Sequence, residues 1–317
     1  LYIDGELVID CWGEKRFADR VVPFTLEAGR EYDLRIEFSN DQKAALLRFG
    51  SQEAPDFTAA VEAAKQAQVA IVSVGDTDET SGENFDRVDL NLPGYQLDLV
   101  KAIYATGTPV VLVMQTGRPV TCLWEQKHIP AILQCSFPAE KGGYAMADTL
   151  FGDNNPSGRL PMTYPRHVGQ VPCHYTRRPG GGRRYIDMSW TPLYPFGYGL
   201  SYTTFQYSDM AVTYNASKDV FEVVITVTNT GNLEGKETVQ VYAQSPYTDY
   251  DKENKVEKAA VQLIGFGKTD ILKPGASETL TITVEKRDLA AYDTYGAGTY
   301  ILDAGDYYLT VATDAHN

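Results

Sequence analysis

Two glutamates, Glu79 and Glu83, stand in the segment Gly75-Asp-Thr-Asp-Glu-Thr-Ser-Gly-Glu-Asn-Phe-Asp-Arg87, with Arg87 four positions after the second. A carboxyl group held over the edge of a sheet is what acid-assisted cleavage of a glycosidic bond requires. The segment directly follows an apolar run, Val69-Ala-Ile-Val-Ser-Val74, that reads as a buried strand. A helical pattern, Tyr95 to Tyr104, begins soon after it. The acidic segment is therefore a loop at the carboxyl end of a strand in an α/β sheet, the edge where such sheets place ligands. The competing reading of each glutamate is a solvated loop carboxylate, since loops are polar whether or not they carry function.

Other chemistry-bearing residues make weaker patterns. His128, His167, His174 and His316 have neither triad order nor metal-ligand spacing. The cysteines, Cys11, Cys122, Cys135 and Cys173, form no C-x-x-C pair and read as buried thiols. Cys173 and His174 adjoin, but neighbours in an extended segment point to opposite sides. Ser157 lies in a Pro-Ser-Gly turn without the elbow context of a hydrolase serine. Gly180 to Gly182 lack the strand and the Lys-Ser/Thr of a phosphate loop. Asn215-Ala-Ser217 is a formal glycosylation sequon. Trp12, Trp124 and Trp190 suit stacking on a sugar or a place in a core equally well.

The formal net charge is −14 over 317 residues, which disfavours a nucleic-acid partner because phosphate binding needs a cationic surface. A neutral sugar suffers no such repulsion. The 21 tyrosines fit sugar contact, and equally β-rich cores. No stretch has the length and apolarity of a membrane span, so no membrane partner is expected. Leu1 does not resemble a true start, and the chain is expected to begin inside a domain whose first part lies elsewhere. The compartment stays open between secreted, periplasmic and cytoplasmic.

These residues need a frame, and the chain changes character along its length. Residues 1–52 read as part of a β-sandwich. Leu1–Ile3 and Leu7–Ile9 flank an Asp4-Gly5 hairpin signal. Val21–Leu26 and Tyr32–Phe38 alternate around a Glu27–Arg30 turn, and Asp41–Phe49 suits another strand. Residues 53–165 alternate helix (Phe57–Gln66, Tyr95–Tyr104, Lys141–Phe151) with strand (Val69–Val74, Pro109–Met114, Ala131–Cys135). That pattern predicts an α/β sandwich with a mostly parallel sheet and helices on both faces. Residues 166–205 form a linker or junction rich in Gly, Pro, Arg and Tyr. Within it, Arg177–Tyr185 is expected to be a surface loop whose arginines pair with acids. Residues 206–317 are all β, with strands at Val220–Thr228, Thr238–Ala243, Leu280–Val284 and Tyr307–Val311 between turns, as in an immunoglobulin-like sandwich. The fold class expected is thus multidomain α/β plus all-β.

Gly75–Arg87, followed by Leu90-Asn-Leu-Pro-Gly94 and Gln96, resembles the acid/base region of glycoside hydrolase family 3. Leu150-Phe-Gly-Asp-Asn-Asn-Pro-Ser-Gly-Arg-Leu-Pro161 resembles that family's sheet-domain exit. Pro192-Leu-Tyr-Pro-Phe-Gly-Tyr-Gly-Leu-Ser-Tyr-Thr-Thr-Phe205 resembles its junction into a fibronectin type III-like domain, where Val227–Gly231, Leu263–Phe266 and Leu272–Gly275 also match. The opening 52 residues resemble a truncated protective-antigen-like β-sandwich, which some members insert into the sheet domain.

The resemblance implies retaining hydrolysis of β-linked glucosyl or xylosyl residues by two carboxyl groups. Glu83 falls on the acid/base position, with Glu79 as rival, and Asp86 and Arg87 are expected to hold the loop in register behind it. The family's nucleophile is an aspartate on a (β/α)₈ barrel, and no barrel motif occurs in these residues. The implied partners are a β-linked oligosaccharide or aryl glycoside and a barrel-bearing segment or chain. No metal or organic cofactor is implied. The alternatives are a non-catalytic carbohydrate-binding or interaction module, and an α-L-arabinofuranosidase or mixed-specificity member of the family.

Overall fold

Apolar runs bounded by turn residues become strands here only where a neighbouring strand covers them. The computed structural model describes residues 1–12, 20–39, 47, 49–51, 55–178 and 184–316. They divide into two units, Leu1–Pro55 and Asp56–Asn317.

In the first unit, β1 (Tyr2–Ile3) pairs antiparallel with β2 (Glu6–Leu7) and with β3 (Leu34–Arg35). The hairpin turns through Asp4 and Gly5 with φ of 51° and 83°, the two left-handed positions that such a tight turn needs. The Asp4 carboxylate accepts from Arg30 Nη2 at 2.6 Å and from the Asp33 backbone N–H at 2.8 Å, which ties the hairpin to β3. The Glu27–Arg30 turn forms. The expected strand Val21–Leu26 does not, and Tyr32–Phe38 shrinks to two residues. Val21, Phe24 and Leu26 are exposed, so no second layer rewards the extended conformation. Most of the expected Asp41–Phe49 strand lies outside the described residues.

The second unit opens with α1 (Thr58–Gln66), β4 (Ala70–Gly75), α2 (Gln96–Tyr104), β5 (Val110–Gln115), α3 (Leu123–His128), β6 (Ala131–Gln134) and α4 (Gly142–Phe151). The strands lie in the order β4–β5–β6 and are parallel, with Val74 opposite Met114 and Val113 opposite Leu133. β5 is central and nearly all buried. Val72 and Val74 of β4, Leu112 and Met114 of β5, Val100 and Ile103 of α2 and Ala64 of α1 share one core. α3 is absent from the sequence-based expectation. Its six residues are too short to establish a helical period, and no side chain caps its start. Trp124 within it stacks on His128 at 4.4 Å, meets Tyr104 edge-on and packs against this core. Cys122 alone among the four free cysteines is fully buried; the others are half-buried, contrary to expectation. Burial, with the nearby Glu125 charge, pushes its thiol up to about 12.

An irregular segment then leads to the β region. Gln170, almost fully buried, organises it: its amide oxygen accepts from the Arg166 N–H at 2.6 Å and its Nε2 faces the carbonyls of Ser189, Trp190 and Thr191. In the arginine-rich loop, Arg178 pairs with Glu257 and Arg177 donates to the His174 carbonyl. Residues 179–183 lie outside the described set.

The rest comprises β7 (Phe205–Asn215), β8 (Val220–Asn229), β9 (Thr238–Gln244), α5 (Asp249–Asn254), β10 (Gln262–Lys268), β11 (Ser277–Glu285), β12 (Ala291–Asp293), β13 (Thr299–Ile301) and β14 (Tyr308–Ala312). Two antiparallel three-stranded sheets form, β11–β8–β7 and β10–β9–β14. Val223, Ile225 and Val227 from the first and Val239, Val241 and Ile264 from the second belong to one apolar cluster. The chain is α/β followed by all-β, as the sequence implies.

The α/β and β regions are joined tightly. Arg159 Nη2 meets Glu237 Oε2 at 2.7 Å with both side chains nearly buried, and the Tyr207 hydroxyl donates to Glu237 Oε1 at 2.6 Å. Burial and the Glu237 charge hold that phenol far above its usual range. Asn155 accepts from Ser201 Oγ and the Tyr202 N–H, and donates to the Glu234 carbonyl. Gly197, at φ 85°, has the Gln240 side chain 2.2 Å from where a Cβ would stand, so only glycine permits this close approach.

Candidate active site

The carboxyl ends of β4 and β5 carry loops that touch. β4 ends on Gly75 at φ 152°, where an added Cβ would lie 1.9 Å from the Gln115 carbonyl oxygen. The absence of a side chain lets the strand run against β5 to its last residue, and the Asp76 N–H continues the ladder to the Gln115 carbonyl at 2.9 Å. Gln96, in the first turn of α2, grips Gly75 twice. Its Oε1 accepts from the Gly75 N–H at 2.7 Å and its Nε2 donates to the Gly75 carbonyl at 2.8 Å.

From this base the acidic segment rises as two turns. In the first, the N–H groups of Thr80 and Ser81 both reach the Thr77 carbonyl at 3.0 Å, which places Glu79 inside a closed coil. In the second, the Phe85 N–H reaches the Gly82 carbonyl at 3.2 Å and Asn84 takes φ 66°. Asparagine tolerates that left-handed conformation better than most residues. Glu83 sits on this second turn, exposed, and makes no hydrogen bond or ion pair with the described residues. Glu79 is also exposed.

Of the two residues expected to hold the loop, Arg87 does so and Asp86 does not. Arg87 Nη1 meets Asp76 Oδ1 at 3.3 Å and its Nη2 donates to the Asn91 carbonyl at 2.5 Å. Asp86 is exposed and unpaired among the described residues, because Arg87 turns to a carboxylate at the base of the loop instead.

That base carboxylate, Asp76, escaped the sequence reading. Its side chain is fully buried. Besides Arg87 it accepts from Thr80 Oγ1 at 3.1 Å and from the Gly117 backbone N–H at 3.1 Å, in the loop after β5. The next residue in that loop, Arg118, donates through Nη2 to the Phe85 carbonyl at 3.2 Å. Thr121 completes the contact: its N–H reaches the Leu90 carbonyl and its Oγ1 the Asn91 amide oxygen. The signal available in the sequence was an acid immediately after the glycine that ends a buried strand, where a carboxylate meets free backbone N–H groups.

The arrangement offers exposed carboxyls at Glu79, Glu83 and Asp86, of which Glu83 stands on a short turn whose stems are fixed by charge-assisted hydrogen bonds. A carboxyl in this setting can donate or accept a proton. Retaining hydrolysis needs a second carboxyl as nucleophile at roughly 5–5.5 Å from the first. Among the described residues no group of three or more His, Cys, Asp or Glu is arranged to hold a metal ion. Two clefts lie in the β region, one lined by Lys258, Gln262 and Tyr292 and the other by Val212, Phe221 and Leu309, and neither includes a residue of the acidic loop. No helix of the described residues is long and apolar enough to cross a membrane.

Residues 18–202 match the family model described as the glycosyl hydrolase family 3 C-terminal domain, and residues 237–315 match the fibronectin type III-like domain. A periplasmic beta-glucosidase of Salmonella typhimurium is 41% identical over 71% of this chain and 30% of its own length. A beta-xylosidase of Formosa agariphila is likewise 41% identical, over 71% of this chain and 31% of its own length. A beta-glucosidase of Rhizobium radiobacter is 34% identical over 99% of this chain and 42% of its own length. Among solved structures, a β-glucosidase of Erythrobacter marinus superposes with a TM-score of 0.74 at 34% identity, over 82% of this chain and 35% of that one. The chain thus spans between three- and about four-tenths of the length of these curated relatives.

Proposed function

From the premise that this chain belongs to glycosyl hydrolase family 3, we propose that it is the acid/base-bearing portion of a retaining β-glycosidase acting on terminal β-D-glucosyl or β-D-xylosyl residues. Glu83 is the general acid/base. The observation that carries this reading is its place: an exposed carboxyl on the Gly82–Phe85 turn, in Ser-Gly-Glu-Asn-Phe-Asp-Arg, above the carboxyl edge of the parallel sheet. Glu79, in the closed Thr77–Ser81 coil, is the weaker candidate because its turn is wound against the base of the loop.

The reaction needs two carboxyl groups on opposite duties. A nucleophile attacks the anomeric carbon while Glu83 gives its proton to the leaving oxygen. In the second half Glu83, now a carboxylate, takes a proton from the water that releases the sugar. The nucleophile is supplied by a (β/α)₈ barrel outside these residues. A general acid must keep its proton at working pH, which burial on closure of a cleft favours. The α/β region and the two sheets of the fibronectin-like sandwich serve as the frame that presents Glu83 to that barrel. The substrate is a β-linked oligosaccharide or an aryl glycoside.

The direct test is Glu83→Gln in the complete enzyme, assayed on an aryl β-glycoside. Turnover equal to wild type removes Glu83 from the mechanism, and loss on Glu79→Gln alone transfers the role to Glu79.

A further inference from the structure

We infer that Asp76 is the positioning residue of this site: a buried carboxylate that fixes where Glu83 stands by tying both stems of its loop to the loop of the neighbouring strand. The inference rests on the acid/base reading of Glu83. The Asp76 side chain has no exposed surface to offer a substrate. It acts through Arg87 and Thr80, which flank Glu83 on either side in sequence, and through Gly117.

Three donors converge on one fully buried side chain. Arg87 Nη1 and Thr80 Oγ1 share Oδ1 at 3.3 Å and 3.1 Å, while the Gly117 N–H takes Oδ2 at 3.1 Å. One partner lies before Glu83, one after it, and the third 41 positions downstream of Asp76 on the loop after β5. The carboxylate therefore closes the acidic segment into an arch and clips that arch to β5. Its own backbone is held by the Gln115 carbonyl, and the preceding Gly75 by both ends of the Gln96 amide. The support beneath Asp76 is thus fixed to the sheet, and the fixed end of the lever carrying Glu83 begins at residue 76.

The chemistry asks for such a device. A general acid works only within hydrogen-bond reach of the leaving oxygen, and Glu83 has no bond of its own to hold it. Its placement must come from its loop. An uncharged amide at 76 keeps an oxygen for Gly117 or Thr80 but loses the ionic hold on Arg87, whose fork then faces a neutral partner. The stems separate, and Glu83 drifts while the sheet below stays intact.

The experiment uses the complete enzyme and two substrates with the same glycone. One has a poor leaving group, such as an alkyl β-glycoside, which needs protonation. The other has 2,4-dinitrophenolate, which departs without it. The reading is the ratio of the two kcat/KM values, which reports the glycosylation step. Asp76→Asn is expected to lower kcat/KM on the alkyl glycoside about 100-fold, the scale set by a displacement of about 1 Å in a reacting group, and to leave the dinitrophenyl substrate nearly unaffected. Glu83→Gln, run beside it, is expected to change the ratio in the same direction and further. An unchanged ratio in Asp76→Asn, or an equal fall on both substrates, with the ratio shifted in Glu83→Gln, overturns the positioning role and leaves the acid/base reading standing. An unchanged ratio in Glu83→Gln overturns that reading and the positioning role with it. If Asp76→Asn does not fold, Thr80→Val, which deletes one donor at constant shape, decides the matter by a smaller shift of the same ratio or by none.

Discussion

The acidic loop and the junction between the α/β and β regions each turn on an arginine–carboxylate pair, and the two pairs do opposite things. At the junction, Arg159 and Glu237 are both buried, and the Tyr207 hydroxyl fills the second carboxylate oxygen. Nothing charged is left facing solvent. In the loop, Asp76 is buried but Arg87 lies nearer the surface, and the pair holds up a third charged group, Glu83, that stays free. One pair welds two layers of the chain. The other is scaffolding for a side chain left unpartnered. Glu237 has an ionic partner on one oxygen and a phenol on the other, whereas Glu83 keeps its acceptor sites open to solvent.

The contrast is broken most directly at its two ends. Glu83→Gln in the complete enzyme is expected to lower kcat/KM on an alkyl β-glycoside by about 10²–10⁴, the usual share of a general acid, with the thermal unfolding midpoint unchanged. An altered midpoint with unaltered turnover reverses the assignment. Arg159→Ala is expected to do the converse. It leaves the Glu237 charge in the interior with the Tyr207 hydroxyl but without its ion partner, which costs about 3–5 kcal/mol by analogy with other broken buried pairs, read from urea unfolding. A loss below about 1 kcal/mol, the scale of an exposed pair, means the junction is solvated in solution.

A third variant tests the base on which the loop stands. Gly75→Ala places a methyl group against the Gln115 carbonyl, and β4 must move off β5 at that point. Strain of about 1–3 kcal/mol is expected, with a fall in activity larger than that in stability because Asp76 is the next residue. A silent Gly75→Ala means the end of β4 is free to shift.

The legible parts of the fold are those whose signal is local. β4, β5 and β6 show as apolar runs, and α2 and α4 as periodic stretches, because each was read within its own ten residues. β7 falls within the span expected to be all β but is not distinct as a strand, since its alternation breaks where Asp209 adopts φ 55° and the register slips between Ser208 and Ala211. β10 was missed because Gly265 and Gly267 interrupt it, and those glycines exist to let Ile282 of β11 pack close. Val21–Leu26 carried the right pattern without the partner that makes a strand. The same rule governs the site. Glu83 and Arg87 belong to one contiguous motif and could be singled out, whereas Asp76 gains its meaning from Gly117, which only the parallel pairing of β4 with β5 brings near.

The smallest expected effect lies in α3. Glu125 of α3 is nearly fully buried, and burial raises its pKa, opposed by a backbone hydrogen bond and by Lys101. A carboxyl raised in the folded state contributes stability that is complete below its unfolded value, about 4.3, and is lost as pH rises through the folded value. Glu125→Gln is expected to flatten that fall, so its urea midpoint gains on wild type between pH 4 and pH 7. A wild-type midpoint that rises over the same interval through this residue removes Glu125 as the cause.

Asp76 and Arg87 close the loop eleven positions apart, and between them Thr80 is bonded to Asp76 and Phe85 to Arg118. The crest from Ser81 to Asn84 is therefore the part free to vary. Lengthening it costs little, because loop-closure entropy grows only logarithmically, about 0.6 kcal/mol per doubling. Residues added or removed between Thr80 and Phe85 are expected to change how far Glu83 stands from the sheet without disturbing the floor.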